Sequence, residues 1–204
     1  MTDQSALYSG LSNAAWGYFF LNFDFNLGTV SIFPRFVGFL LFLSAIRKLS
    51  GTRRDLALLR PLCVLLAAWA AVDWLLSWGG GDVDGHILFL DLLTAVAGLY
   101  FHFQFLTDMA AFAEQYQPEG GDLDNRIRRR RTAYIVLITV IAVISCLWSG
   151  RLSPQQIDTE SGIIWGALAV AAVAAVIAAL FIMAALFELR AKIRLSSRQH
   201  TPIS

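Results

Sequence analysis

Charge is the first scarcity in this sequence. Only 15% of its 204 residues are Asp, Glu, Lys or Arg, whereas 57% are hydrophobic and the mean hydropathy is +0.60. That balance excludes an ordinary soluble domain, in which about a quarter of the residues are charged. Cysteine is scarce as well. Cys63 and Cys146 both fall inside apolar runs, which favours small packing residues over a disulfide or a metal pair and leaves the redox compartment open. With three histidines and no HExxH, GxSxG or CxxC, the chain has almost none of the vocabulary of an enzyme. Met1 to Gly10 contains no Lys or Arg, so the basic start of a cleaved signal peptide is missing and the first hydrophobic segment is expected to stay.

What the chain has instead is long apolar runs. Pro61 to Trp78, Ile87 to Leu106, Ala133 to Trp148 and Ile163 to Phe187 approach or exceed the roughly 20 residues that cross a bilayer core as a helix. The sequence therefore reads as all-α: a polytopic transmembrane helical bundle forming one integral membrane domain over 1–204. Six hydrophobic segments fall at 11–23, 33–46, 61–78, 86–107, 133–149 and 162–187. The first two are short. A run of about 13 to 15 residues reaches some 20 Å, less than the roughly 30 Å core. This leaves a second architecture open, with four full spans and a re-entrant N-terminal hairpin. The polar residues Asn22, Asp24 and Asn26 would be a surface loop in the first architecture and a hairpin tip at depth in the second.

Charge is scarce but strongly patterned. Arg47, Lys48, Arg53, Arg54 and Arg60 follow segment two; Arg126 and Arg128 to Arg131 precede segment five; Arg190, Lys192, Arg194 and Arg198 follow segment six. Excess Lys and Arg mark cytoplasmic loops, so both termini are expected in the cytoplasm of a cell in whose plasma membrane the chain sits. The loops at Gly79 to Gly85 and Gly150 to Ser161 then lie outside. Segment four is expected to run on through Asp108 and Glu114, break at Pro118 to Gly121, and restart with Asp122 as a cap, making a cytoplasmic helical hairpin over 108–132. A basic cytoplasmic tail occupies 188–204. Arg126, Arg128, Arg129, Arg130 and Arg131 anchor the topology beside the bilayer and suit anionic lipid headgroups. No aromatic interleaving points to nucleic acid. In segment six, Gly162, Gly166, Ala167, Ala171 and Ala175 form small-residue rows of the kind that let helices approach closely, within the protein or between it and a second copy or a membrane partner.

Ionisable groups within apolar segments are costly, which singles out Asp73, Asp91 and His102. Asp73 lies five residues before Trp78 and Asp91 five after His86, so on consecutive antiparallel helices both sit roughly 7 to 8 Å below the outer face. His102, Gly98, Ala95 and Asp91 share one stripe of segment four. These residues suggest an outer-half ion or substrate site, and Arg35 at the outer end of segment two is placed to neutralise it as a purely structural ion pair. No metal site is expected, since the Asp82 to His86 spacing in a Gly-rich loop suits a solvated turn, and the sequence leaves any cofactor open. Gly79-Gly80-Gly81-Asp82 matches the GxGD pattern of intramembrane aspartyl proteases at the level of chance, because that Asp belongs inside a helix and Asp82 reads as loop.

The stretch from Asn22-Phe23-Asp24-Phe25-Asn26-Leu27-Gly28 to Ile32-Phe33-Pro34-Arg35-Phe36-Val37-Gly38-Phe39-Leu40 resembles a family of uncharacterised bacterial multi-pass membrane proteins. The likeness covers the N-terminal fifth only. Members usually carry an acidic residue after the proline, where Arg35 stands here. The resemblance implies a bacterial membrane setting and no activity. Two function classes follow from the sequence: a small-solute, ion or proton transport protein or transporter subunit, and a non-catalytic membrane module that assembles through helix packing and a basic cytoplasmic face. Six segments with both ends inside is also the plan of the substrate-binding subunits of energy-coupling-factor vitamin transporters, whose Ala-xxx-Ala signature Leu11 to Phe23 lacks.

Overall fold

The computed structural model describes residues 4–23, 26–27, 30–31, 34–78, 88–117, 120–148 and 159–199. They form six helices: α1 (Gln4–Asn22), α2 (Arg35–Leu49), α3 (Asp55–Trp78), α4 (Leu88–Tyr116), α5 (Leu123–Trp148) and α6 (Thr159–Gln199). Between α1 and α2, β1 (Asn26–Leu27) and β2 (Val30–Ser31) make one two-residue antiparallel bridge. Most helices outrun the apolar segments from which they were expected. Hydrophobicity marks only the stretch that avoids water, whereas a helix continues while its residues favour helix and its backbone stays bonded. Thus α1 starts seven residues before Leu11, and α6 carries the basic tail as helix as far as Gln199.

Three of the helices, α3, α5 and α6, are long and apolar enough to cross a membrane. Their outward faces are apolar too: Leu58, Leu75, Val136, Leu147, Ile163 and Val170 are all exposed. So much uncovered apolar surface exceeds what a water-soluble monomer carries.

Each helix packs on its neighbours in sequence and α6 returns to α1, closing a ring. Side-chain contacts fix the directions. In the α1–α2 pair Gly10 faces Leu49 and Gly17 faces Phe42. Between α2 and α3, Cys63 donates its thiol hydrogen to the Phe39 carbonyl at 3.2 Å, and Phe36 meets Trp74 at 5.5 Å. Thr107 and Glu114 of α4 bind Arg131 and Arg128 of α5; Arg126 of α5 binds Glu188 of α6; Ser12 of α1 binds Arg190 of α6. All these pairs run antiparallel, so the three basic clusters and the start of α1 share one end of the bundle, called here the basic end. Lys48 also donates to Ser9 there, at 2.6 Å.

The core between the helices is aromatic. Tyr18, Phe42, Phe101, Phe105 and Phe112 are fully buried, and edge-to-face contacts such as Phe42 on Phe105 at 5.0 Å lock them together. α1 and α2 approach most closely where glycine meets glycine. A Cβ on Gly17 would stand 2.9 Å from the Phe42 ring, and one on Gly38 would stand 2.8 Å from Leu21 Cγ and 3.1 Å from the Gly17 carbonyl. The turn between α4 and α5 uses Gly120 at φ +80, a conformation that costs any side chain strain. Asp122 takes the first position before α5, its carbonyl accepting from Arg126 N–H at 3.0 Å. The Leu123 N–H, however, is accepted at 3.0 Å by the side chain of Gln117, whose amide also donates to Asp124 at 2.9 Å.

Candidate functional site

At the basic end a cavity of about 310 Å³ opens between the starts of α3 and α5, with α4 as its back wall. α4 contributes Gln104, Thr107, Asp108 and Ala111, a spacing that brings successive turns to one face of a helix. Arg53 and Asp55 enter from the α2–α3 junction, and Arg128 and Arg131 from the second and third turns of α5. Asp108 is only 4% exposed. Its carboxylate takes a hydrogen bond from Gln104, and among the described residues its Oδ2 has no hydrogen-bond partner. Burial pushes this carboxyl above the ordinary Asp value; the Arg53 charge and the Gln104 bond pull it back, and Asp55 adds to the rise.

Arg131 is the counterpart of Asp108 in this cavity. Its Nη1 donates to Thr107 Oγ1 at 2.7 Å, and its guanidinium lies 4.3 Å from the Phe103 ring centre, a cation–π geometry. Its Nε is buried without a hydrogen-bond partner among the described residues. Arg128 is engaged on the rim by Glu114 at 3.0 Å and by Asp124 at 3.9 Å. The exposed Arg128–Glu114 pair adds little stability. With three guanidinium groups and two carboxylates, the lining can meet both an anion and a hydrogen-bond donor.

A second polar cluster lies at the centre of the bundle. His102 is midway along α4, about 21 Å from either end of it. Its Nδ1 stands 3.4 Å from the hydroxyl of Tyr18, at the long limit of a hydrogen bond. The Tyr134 hydroxyl donates to Asn22 Oδ1 at 3.2 Å, and Asn22 Nδ2 donates to the Tyr18 carbonyl at 2.9 Å. Phe101 and Tyr134 enclose the imidazole edge-on, with ring centres 5.4 and 5.6 Å away. This arrangement ties α1, α4 and α5 together through polar atoms that would otherwise be buried unpaired.

The residues singled out from sequence fall in different parts of the described bundle, and Arg35 and Asp73 flank the Phe36–Trp74 contact. His102 joins the central cluster; on the same stripe of α4, Ala95 and Gly98 are half-buried, with nothing within 4 Å of a Cβ added at Gly98. Asp73 is half-buried near the end of α3, one residue before Trp74, and Arg35 is exposed at the start of α2 beside Phe36, the ring partner of Trp74. The side chain of Asp91, together with Asp24 and the loop from Gly79 to His86, lies outside the described residues. Asn22 belongs to the end of α1 and Asn26 to β1.

The small-residue row of α6 divides. Ala175 and Ala179 are buried, Ala171 is half-buried, and Gly162, Gly166 and Ala167 are exposed, with nothing within 4 Å of a Cβ on either glycine. Among the basic residues, Arg126 pairs with Glu188 at 2.7 Å, Arg130 donates to the Phe181 carbonyl at 2.6 Å, and Arg129 is exposed. Among the described residues, no group of three or more His, Cys, Asp and Glu is arranged to hold a metal.

Sequence reasoning missed Asp108 as a site residue, and with it Tyr18 and Tyr134. Asp108 was visible as one of a polar series, Gln104, Thr107 and Asp108, at helical spacing where an apolar run ends. The tyrosines carried no signal, since their partners come from other helices. Compared with protein-family models, with curated proteins and with solved structures, the chain matches none.

Proposed function

We propose that the chain is a multi-pass protein of a bacterial plasma membrane, with six spans and both termini cytoplasmic, that handles a small polar solute or ion at the cytoplasmic end of its bundle. The observation that carries this reading is the cavity at the basic end, where a nearly buried carboxylate and three arginines converge. Ionisable groups held at the edge of an apolar bundle are costly, and such cost is the usual mark of a working site. Positive charge gathered at one end fits a cytoplasmic face. Six spans are supported by the depth of the α1–α2 pair: α1 is about 28 Å long, and the first turn of α2 reaches the level of Trp74 near the far end of α3. The likeness of Asn22 to Leu40 to uncharacterised bacterial membrane proteins belongs to the same proposal.

The test is ligand-dependent stability of the purified protein against a panel of small phosphates, carboxylates and amino acids, followed by flux of any ligand found in liposomes. Binding that Arg131→Gln abolishes supports the reading. A panel without response, in protein that unfolds cooperatively, contradicts it. A second reading, assembly through α6, is favoured by the uncovered row at Gly162, Gly166 and Ala167. Gly166→Leu should then reduce oligomer size, and an unchanged monomer in wild type removes that reading.

A further inference from the structure

The cavity at the basic end continues along the bundle. Gln104, Thr107 and Ala111, which line it, share a face of α4 with Leu93, Val96 and Tyr100, since these positions recur at three, four and seven residues. Leu93, Val96 and Tyr100 are about half exposed, at 48, 55 and 58%. A polar cavity therefore opens onto an apolar stripe of α4, flanked by α3 and α5. From Thr107 to Leu93 the stripe runs about 21 Å, more than the roughly 15 Å of one leaflet's hydrocarbon. Three buried side-chain atoms have no hydrogen-bond partner among the described residues, and two of them, the acceptor Asp108 Oδ2 and the donor Arg131 Nε, belong to residues that line this one cavity. An occupant that answers both the Asp108 carboxylate and the Arg131 guanidinium brings an N–H or O–H and an anionic oxygen on one small group, joined to an apolar chain.

We infer that the cavity is the headgroup site of an aminophospholipid, its phosphate held by Arg131 and Arg53, its primary ammonium by the Asp108 carboxylate, and an acyl chain lying along the exposed face of α4. The charges are complementary in sign and order, since Arg131 stands beside the lipid-facing Phe103 and the Asp108 carboxylate is buried deeper. Charge-assisted hydrogen bonds are the strong ones in such a setting. The inference rests on the reading that the basic end meets the inner membrane surface, and it names the class of ligand for that same site.

Thermal unfolding of the full chain in mild detergent, with added phosphatidylethanolamine, phosphatidylcholine or phosphatidylglycerol and with soluble phosphoethanolamine, tests it. Phosphatidylethanolamine should raise Tm at roughly tenfold lower concentration than phosphatidylcholine, whose quaternary ammonium donates no hydrogen bond. Asp108→Asn should erase that preference, and Arg131→Gln should weaken the response to all three lipids. The wild-type preference needs no variant, so a variant that fails to fold leaves the test intact. Equal responses to phosphatidylethanolamine and phosphatidylcholine, or to phosphatidylethanolamine and phosphatidylglycerol, overturn the inference. Stabilisation by phosphoethanolamine without stabilisation by any lipid overturns it while leaving the solute reading standing. No response to any of these or to the small-solute panel overturns both.

Discussion

The carboxyl of Asp108 is held above its ordinary value by burial, and the sign of its effect on stability follows. Between the unfolded value of 3.8 and the raised folded one, the folded protein binds the proton more tightly than the unfolded chain does. Protonation therefore stabilises the fold fully below the unfolded value, and that contribution is lost as pH rises through the folded value. Relative to Asp108→Asn, the wild type should lose stability as pH rises above the unfolded value of 3.8 and through the raised folded one. The difference should be about 1 kcal/mol, the scale of one unsatisfied buried acceptor. Chemical unfolding of both proteins across pH measures it, and parallel pH profiles would contradict the burial argument. Tyr134→Phe tests the central cluster. It leaves the Asn22 carbonyl oxygen without its donor and should cost about 1 kcal/mol, whereas Tyr100→Phe on the exposed face of α4 should be nearly silent. Little of this was legible from sequence. A residue's cost can be read from its segment, but its partner arrives from another helix, and nothing in one chain's order announces that Tyr18 will meet His102.

At the scale of elements, existence was legible and extent was not. The apolar runs of α3, α5 and α6 announce themselves by length, but helix ends are set by capping and side-chain bonds that hydropathy does not see. Gln117 shows this: it reaches across the turn to accept from Leu123 N–H, a bond outside the reach of the Asp122 cap, whose side chain serves N–H groups two or three residues on. Glycine gives the second lesson. The small residues of α6 attract attention by repetition, while the tight contact lies between α1 and α2, where Gly17 and Gly38 are isolated in sequence and meet only in space. Gly17→Val and Gly38→Val should each destabilise by about 1 to 3 kcal/mol, the cost of overpacking. Gly166→Val should change the stability of an isolated protomer by only a few tenths of a kcal/mol, because nothing lies near its Cβ. Thermal unfolding in detergent checks all three. Equal losses at Gly38 and Gly166 would show that the closely packed interface had been placed wrongly.

For the whole molecule, antiparallel packing of six helices around an aromatic core brings basic clusters from three separate stretches of sequence to one end. That convergence was legible early, because positive charge obeys a sidedness rule that needs no contacts. What the sequence could not provide is the consequence: Arg53, Arg128 and Arg131, up to 78 positions apart in the chain, line a single cavity with Asp108. The central claim is that this cavity faces the cytoplasm from a multi-pass membrane bundle. Single-cysteine labelling with a membrane-impermeant reagent, in a Cys63→Ala, Cys146→Ser background, addresses it most directly. Cysteines introduced at positions 53, 128 and 194 should label only after the cells are opened, and cysteines at positions 84 and 155 should label in sealed cells. Labelling at 53 or 128 from outside sealed cells would contradict the account.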